Sequence, residues 1–139
     1  MAVKTKIKIL LIEDDEDDVD LLKETLDAGK IPNEIDVIGD GNEAVEFLAS
    51  CTSCPDVIVL DYNLPKVHGR EILKEIKSRA LLNPIPVIVL TTSSSKEDIE
   101  YAYKMGASKF LIKPVTMEQM KLTANTIAEV CFVENKDIK

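Results

Sequence analysis

Four apolar runs of this chain end in side chains that can support phosphoryl chemistry. Glu13 and Asp14 follow one run, Asp61 follows a second, Thr91 a third and Lys113 a fourth. If the runs are parallel strands, their carboxyl ends meet at one edge of a sheet and gather these side chains. Carboxylates gathered there repel one another without a cation, and ligands that are all oxygen favour Mg²⁺ or Mn²⁺ over zinc. The pattern therefore predicts a metal and phosphoryl site with Asp61 as its nucleophile.

Each of these residues also has an ordinary structural interpretation. Asp14 to Asp18 can form an acidic cap on a helix, because negative charge is favourable at a helix N-terminus. Asp61 alone can be a turn aspartate before Pro65, and Lys113 alone can be a solvated residue at a strand end. Residues 91–95 can be a polar loop that caps the next helix. The chemical interpretation depends on all of these residues following strands of one sheet.

The segments that must position the site alternate between strand and helix patterns. Strands are predicted over 6–12, 34–38, 56–60, 86–90 and 109–112. Helices are predicted over 16–28, 42–50, 69–79, 95–105 and 117–132. Five successive βα units predict an α/β fold with a parallel sheet between two layers of helices. The apolar runs are continuous, which indicates strands covered on both faces.

Three of the predicted helices carry apolar side chains at helical spacing, which predicts the faces they turn toward the sheet. The stripes comprise Val19, Leu22 and Leu26 in the first helix, Ile72, Leu73 and Ile76 in the third, and Met117, Met120, Ala124, Ile127 and Cys131 in the fifth.

The composition is that of an ordinary globular protein, with 45% hydrophobic and 30% charged residues among 139. Such a length suits one domain with a substantial core. The net charge of −8 argues against non-specific binding to nucleic acid, because neutralising phosphates requires a basic face. Apolar stretches fall short of the roughly 20 residues of a membrane span, and no signal-peptide core follows the start. We therefore expect a cytoplasmic protein that binds neither DNA nor membrane.

The cysteines do not predict a metal or redox site. Cys51 and Cys54 form a CxxC pair, but only Cys131 and His68 remain as further zinc ligands. A thioredoxin-type motif opens a helix after a strand, whereas this pair precedes a strand. We interpret Cys51 and Cys54 as loop thiols.

The ordered set of motifs resembles the receiver domain of two-component response regulators over residues 6–130. The resemblance rests on an acidic pair after the first strand, an aspartate after the third, a hydroxyl after the fourth and Lys-Pro after the fifth. Asp61 precedes Thr91 by 30 positions, and Thr91 precedes Lys113 by 22, as in the family. The resemblance implies a flavodoxin-like (βα)5 fold with strand order 2-1-3-4-5. It also implies a receiver domain over 6–133 and a charged tail over 134–139, with no output domain.

The resemblance implies a phosphoryl site and a switch. Asp61 would accept a phosphoryl group from the phosphohistidine of a sensor histidine kinase or a histidine phosphotransfer protein. Lys113 would pair with that group, and Thr91 would move to hydrogen-bond it. Phe110 would occupy the aromatic switch position that moves inward when Thr91 is recruited. The protein would then be a signalling phosphoacceptor rather than an enzyme, catalysing only its own phosphotransfer and slow dephosphorylation.

The resemblance also implies a metal site. Asp14, Asp61 and the main-chain carbonyl of Asn63 would hold Mg²⁺, which Mn²⁺ can replace, and Glu13 would order its waters. Thr92, like Asn63, occupies a position that tunes dephosphorylation in the family.

Some segments narrow the resemblance or depart from it. Segments 63–65 and 69–73 resemble stand-alone regulators paired with phytochrome-type kinases. His68 stands where the family often has Asp or Asn, and we expect it to be an exposed turn residue.

The signal is expected to leave through the face formed by the fourth helix, the fifth strand and the fifth helix. An unknown downstream protein would bind there. Leu122, Val130 and Val133 fall outside the apolar stripe of the fifth helix, so they are predicted to form a homodimer interface.

Three other functions are compatible with parts of the pattern. A small-molecule phosphatase with an aspartate nucleophile usually carries it on the first strand, whereas Asp61 follows the third. An FMN-binding flavodoxin needs a loop that cradles phosphate after the first strand, where Glu13 and Asp14 repel phosphate instead. A scaffold without phosphorylation would not need the complete set of acids, hydroxyl and lysine.

Overall fold

The computed structural model describes residues 6–50, 54–64, 68–92 and 95–136. Within these ranges strands and helices alternate as predicted. The strands are β1 (Ile7–Ile12), β2 (Asn33–Ile38), β3 (Val57–Asp61), β4 (Val87–Thr91) and β5 (Lys109–Ile112). The helices are α1 (Glu16–Ala28), α2 (Gly41–Ala49), α3 (Gly69–Ser78), α4 (Lys96–Lys104) and α5 (Met117–Lys136).

The five strands form one parallel sheet in the order β2-β1-β3-β4-β5, which confirms the predicted flavodoxin-like α/β fold. The chain winds toward one edge from β1 to β2 and toward the other edge from β3 to β5. The winding direction therefore reverses between β1 and β3, where Ile12 is in register with Leu60. Open α/β sheets bind ligands outside the carboxyl ends of the strands at such a point. Here that position is occupied by Glu13 and Asp61.

The central strands pack against helices on both faces of the sheet. Successive strand residues point to opposite faces. Val57 and Val59 of β3 accordingly face a core formed with α1 and α5, whereas Ile58 and Leu60 face a core formed with α2, α3 and α4. Every residue of β3 and β4 is buried, which confirms the prediction that these strands are covered twice.

The third and fourth strands each begin and end one residue later than predicted. Asp61 is the last residue of β3 and is in register with Leu90, and Thr91 is the last residue of β4 and is in register with Ile112. Both polar side chains are thus held on sheet backbone rather than on the following loops. Pairing with the neighbouring strands therefore fixes the backbone positions of both residues.

Helix caps set the paths of the loops around this edge. Asp15 caps α1 by accepting hydrogen bonds from the main-chain nitrogens of Asp17 and Asp18. Ser95 caps α4, because its hydroxyl oxygen accepts a hydrogen bond from the main-chain nitrogen of Asp98. This agrees with the interpretation of residues 91–95 as a loop that caps the next helix. His68 is exposed, as predicted, and caps α3.

The apolar stripes of the helices are buried with one exception. The buried residues are Val19, Leu22 and Leu26 of α1, Ile72, Leu73 and Ile76 of α3, and Met120, Ala124, Ile127 and Cys131 of α5. The prediction for Met117 is wrong, because its side chain is 52% exposed in the first turn of α5.

The predicted homodimer residues of α5 divide into different environments. Leu122 is 67% exposed, whereas Val130 is only 7% exposed and belongs to the core. The prediction for Val130 is wrong because a residue three positions after Ile127 returns to the same helix face. The side chain of Val133 lies outside the described residues.

The fifth helix continues further than predicted, to Lys136. Residues 134–136 of the predicted tail therefore belong to α5, and residues 137–139 lie outside the described ranges. Across the described ranges, no helix is both long and apolar enough to cross a membrane.

The two cysteines in the described ranges, Cys54 and Cys131, are not among the acids that meet at the edge of β1 and β3. Cys54 is exposed and Cys131 is buried in the core, while Cys51 lies outside the described residues.

Candidate functional site

Three carboxylates meet at the edge formed by β1 and β3. Glu13, Asp14 and Asp61 each place an oxygen within 4.8 Å of the other two. Glu13 and Asp61 are almost fully buried, at 3% and 2% exposure, whereas Asp14 is exposed. The fold therefore brings together the acids predicted from the sequence, with one of them open to solvent.

One ammonium group lies among the carboxylates. The Nζ atom of Lys113 is 3.0 Å from Glu13 Oε1, 3.1 Å from Asp61 Oδ2 and 3.2 Å from Asp18 Oδ2. The main chain helps to place this lysine, because its nitrogen donates a hydrogen bond of 2.7 Å to the carbonyl of Thr91. Burial lowers the pKa of Lys113, but its contacts with Glu13 and Asp61 outweigh burial and raise that pKa above its ordinary value. Lys113 is therefore firmly cationic.

The surroundings of Glu13 disfavour its charged form. Burial raises the pKa of Glu13 from 4.5 to about 7. The hydrogen bond from Lys113 opposes this shift, and the nearby charge of Asp61 adds to it. A single ammonium thus does not compensate the buried acids fully, which leaves the site with an affinity for further positive charge.

Both oxygens of Asp61 are held by hydrogen bonds. Oδ1 accepts one from the main-chain nitrogen of Asn63 at 2.9 Å, and Oδ2 accepts one from Lys113 at 3.1 Å. The carboxylate is thereby oriented by the loop after β3 on one side and by the end of β5 on the other. A nucleophile or a metal ligand needs such a fixed orientation.

The hydroxyl side of the site is organised by the side chain of Asn63. Its Oδ1 accepts hydrogen bonds from Thr91 Oγ1 at 3.0 Å, from the Thr92 nitrogen at 2.9 Å and from Thr92 Oγ1 at 3.2 Å. These bonds join the loop after β3 to the end of β4. The structure thus places Thr91 near the acidic edge, with its hydroxyl directed to Asn63.

The donor set fits a divalent cation. An open cleft at this edge is lined by Asp14, Asp15, Glu16, Asp17, Asp61, Asn63, Thr92 and Lys113. Its possible ligands are carboxylate and carbonyl oxygens, which suit Mg²⁺ and Mn²⁺. The partial charge compensation of the buried acids, described above, is the physical reason that a cation would be favoured here.

The predicted switch aromatic is half-buried beside the loop after β3. The ring of Phe110 meets the ring of Tyr62 edge-on, with centroids 5.9 Å apart. Tyr62 is buried, and Gly69 packs so closely on it that a Cβ atom there would lie 2.5 Å from Tyr62 Cα. Phe110 is therefore linked to the residue next to Asp61 through a single aromatic contact.

Sequence reasoning missed two polar contacts of the site and one aromatic contact. Asp18 was interpreted only as part of a helix cap, although it also contacts Lys113. The side chain of Asn63 was not predicted to bind Thr91, and Tyr62 was not assigned any packing role. The dense acidic run beginning at Asp14 was the only sequence signal for the first of these contacts.

Comparison with known proteins agrees with this arrangement. The response regulator receiver domain family matches residues 9–125. The chain therefore belongs to this family, as its motifs indicated. Receiver domains are signalling phosphoacceptors of two-component systems rather than conventional enzymes, and their partners are histidine kinases.

Similar proteins include regulators from cyanobacteria and archaea. Response regulator Rcp1 of Synechocystis sp. is 38% identical over 117 residues, which cover 81% of this chain and 80% of that protein. The probable methanogenesis regulatory protein FilR2 of Methanothrix harundinacea is 37% identical over 125 residues, covering 87% of this chain and 81% of that protein.

Solved structures of related response regulators have the same fold. The phosphorylated cyanobacterial phytochrome response regulator RcpA matches with a TM-score of 0.83 and 37% identity, covering 92% of this chain and 95% of that one. The Mn²⁺-bound form of Rcp1 matches with a TM-score of 0.78 and 36% identity, covering 87% of this chain and 91% of that one. This chain is thus a close structural relative of regulators that have been crystallised phosphorylated and with metal.

Proposed function

We propose that this protein is a response regulator that accepts a phosphoryl group on Asp61 from the phosphohistidine of a sensor histidine kinase or a histidine phosphotransfer protein. The observation that carries the proposal is the buried carboxylate of Asp61, oriented through both oxygens by Asn63 and Lys113. A carboxylate held in this way at the open end of a strand is suited to nucleophilic attack.

In the proposed step an oxygen of Asp61 attacks the phosphorus atom of the phosphohistidine. The new P–O bond forms an acyl phosphate as the P–N bond breaks, and the imidazole leaves with the electron pair and takes up a proton. Lys113 already lies 3.1 Å from Asp61 Oδ2, so its ammonium is placed to pair with the transferred group. Thr91 would donate its hydroxyl to the same group.

Glu13, Asp14, Asp61 and the main-chain carbonyl of Asn63 would hold Mg²⁺, or Mn²⁺ in its place, with Glu13 acting through water. The ion, when bound, neutralises charge that develops on the transferring phosphoryl group. The carboxylates that meet within 4.8 Å of one another support this assignment. So does the Mn²⁺-bound form of Rcp1, which is 36% identical to this chain.

The output of the proposed switch is the face formed by α4, β5 and α5. Recruitment of Thr91 would allow Phe110 to move inward and so alter this face. Leu122 and Ile112 are 67% and 50% exposed there, which gives the face an apolar surface for a downstream protein or for a second copy of the chain. The similarity to the phytochrome response regulator RcpA favours a phytochrome-type kinase as the source of the phosphoryl group.

The proposal is tested by intact-protein mass spectrometry after incubation with acetyl phosphate and Mg²⁺. We expect a gain of one phosphoryl group that requires Mg²⁺ and is lost in Asp61→Asn. The matched control is Asp36→Asn, because Asp36 is exposed, is in register with Leu10 rather than with the end of β1, and does not belong to the group of acids that meet at this edge. Labelling that persists in Asp61→Asn, or no labelling of the unaltered protein with Mg²⁺, would refute the proposal.

A further inference from the structure

The side-chain oxygen of Asn63 is shared by three hydrogen-bond donors. Thr91 Oγ1, the Thr92 nitrogen and Thr92 Oγ1 lie 3.0, 2.9 and 3.2 Å from Asn63 Oδ1. An amide oxygen has two lone pairs, so two donors fill it and the three donors here must share its acceptor capacity. The arrangement is therefore more than a chance surface contact between two loops.

The environment of Thr91 makes this contact important. Thr91 is 1% exposed and ends β4, whereas Asn63 and Thr92 are exposed. Buried hydroxyls are rarely found without a hydrogen-bond partner, and Asn63 supplies an acceptor for this one. The main-chain nitrogen of Asn63 also donates to Asp61 Oδ1 at 2.9 Å. One residue thus contacts both the proposed phosphoacceptor and the proposed switch hydroxyl.

We infer that Asn63 is a positioning residue that holds the Thr91 side chain in its resting rotamer. The hydroxyl of Thr91 has one hydrogen, so it cannot donate to Asn63 and to a phosphoryl oxygen at the same time. Recruitment of Thr91 therefore requires its hydroxyl to break the hydrogen bond to Asn63 and to donate to the phosphoryl group instead. The inference builds on the proposed function, since it concerns the resting state of the same switch.

The strength of the hold can be expressed as a population. A typical net hydrogen bond changes an equilibrium roughly 2- to 12-fold. Removal of the acceptor is expected to raise the population of other Thr91 rotamers by roughly this factor. The bonds from Thr92 keep the amide in place, so they strengthen the hold on Thr91 without binding it directly.

The experiment measures the χ1 rotamer of Thr91 by three-bond NMR couplings to its γ-methyl carbon in the unphosphorylated protein. We expect one dominant rotamer in the unaltered protein and averaged couplings in Asn63→Ala and Asn63→Leu. The two variants remove the acceptor with different side-chain volumes, so a folding defect of one does not prevent the test. Asn63→Asp keeps an acceptor oxygen and is expected to restore the single rotamer. The matched control is Asn125→Ala, which changes an exposed asparagine on α5.

Two results would overturn the inference. One is a Thr91 rotamer that is unchanged in folded Asn63→Ala or Asn63→Leu. The other is a failure of folded Asn63→Asp to restore the rotamer. Neither result depends on phosphorylation, so the positioning role and the phosphoacceptor role of Asp61 can fail separately.

Discussion

Replacement of Glu13 with glutamine is expected to stabilise the metal-free protein at alkaline pH. Glu13 is 3% exposed and lies beside Asp61, which is 2% exposed. Burial, together with the charge of Asp61, raises the pKa of Glu13 from 4.5 to about 7 despite its hydrogen bond with Lys113. Between these two pH values the folded protein keeps a proton that the unfolded chain has already lost. The free energy of unfolding of the metal-free protein must therefore fall as the pH rises through this window.

The magnitude follows from the change in pKa. One pH unit corresponds to 1.36 kcal/mol, so a pKa raised from 4.5 to about 7 corresponds to about 3 kcal/mol. Glutamine cannot ionise, so the free energy of unfolding of Glu13→Gln does not fall in this way as the pH rises. The variant is therefore expected to be more stable than the unaltered protein above pH 7. The gain is reduced by a weaker bond to Lys113, although Asp61 and Asp18 still contact that lysine.

The assay is urea denaturation in the presence of a chelator, at pH 5 and at pH 8. The difference in unfolding free energy between Glu13→Gln and the unaltered protein is expected to grow by up to about 3 kcal/mol between these conditions. The control is Glu24→Gln, which changes an exposed glutamate of α1 and is expected to show no such growth. Saturating Mg²⁺ is expected to reverse the order, because an ion that binds the folded state stabilises it. A difference between variant and unaltered protein that is the same at both pH values would refute the reasoning.

Three other substitutions test separate parts of the structure. Gly69→Ala is expected to lower the free energy of unfolding by roughly 1–3 kcal/mol, because its Cβ would lie 2.5 Å from Tyr62 Cα, and an unchanged melting temperature would contradict the packing described. Lys113→Ala is expected to bind Mg²⁺ in titration calorimetry but to lose the change in the NMR signals of the Phe110 ring that acetyl phosphate causes in the unaltered protein. A change in these signals that persists in the variant would contradict the proposed role of Lys113. Leu122→Asp is expected to abolish any dimer detected by light scattering with a stability change within about 0.5 kcal/mol, since Leu122 is 67% exposed, and a persisting dimer would place the interface elsewhere.

The central strands could be predicted because their burial is complete. The first four residues of β3 and of β4 each pack against one of the two helical layers, so these positions are apolar and each run is visible in the sequence. Helix starts were similarly visible where a side chain caps them, as Ser95 does for α4. The order of the strands was not contained in these local patterns and came from the resemblance to a family.

The predictions that failed concern the faces of α5. Val130 was assigned to the surface and Met117 to the core, but the structure places them the other way round. Val130 follows Ile127 by three positions and so lies on the same buried face, which helical spacing alone could have shown. The exposure of Met117 depends instead on how the first turn of α5 packs beside α1. The sequence of one helix does not carry the length and position of another.

The sequence by itself determined which chemical groups follow the strands and therefore what kind of chemistry the edge can support. Acids after β1 and at the end of β3, a hydroxyl at the end of β4 and a lysine after β5 are all readable from short motifs. Only the tertiary structure decided how these groups share charge and hydrogen bonds. Lys113 and Glu13 are separated by 100 positions, and the contacts of Lys113 with Asp18 and of Asn63 with Thr91 depend on side-chain reach between different strand ends. Such contacts, and the burial that raises the pKa of Glu13, arise from packing of distant segments, which no local pattern encodes.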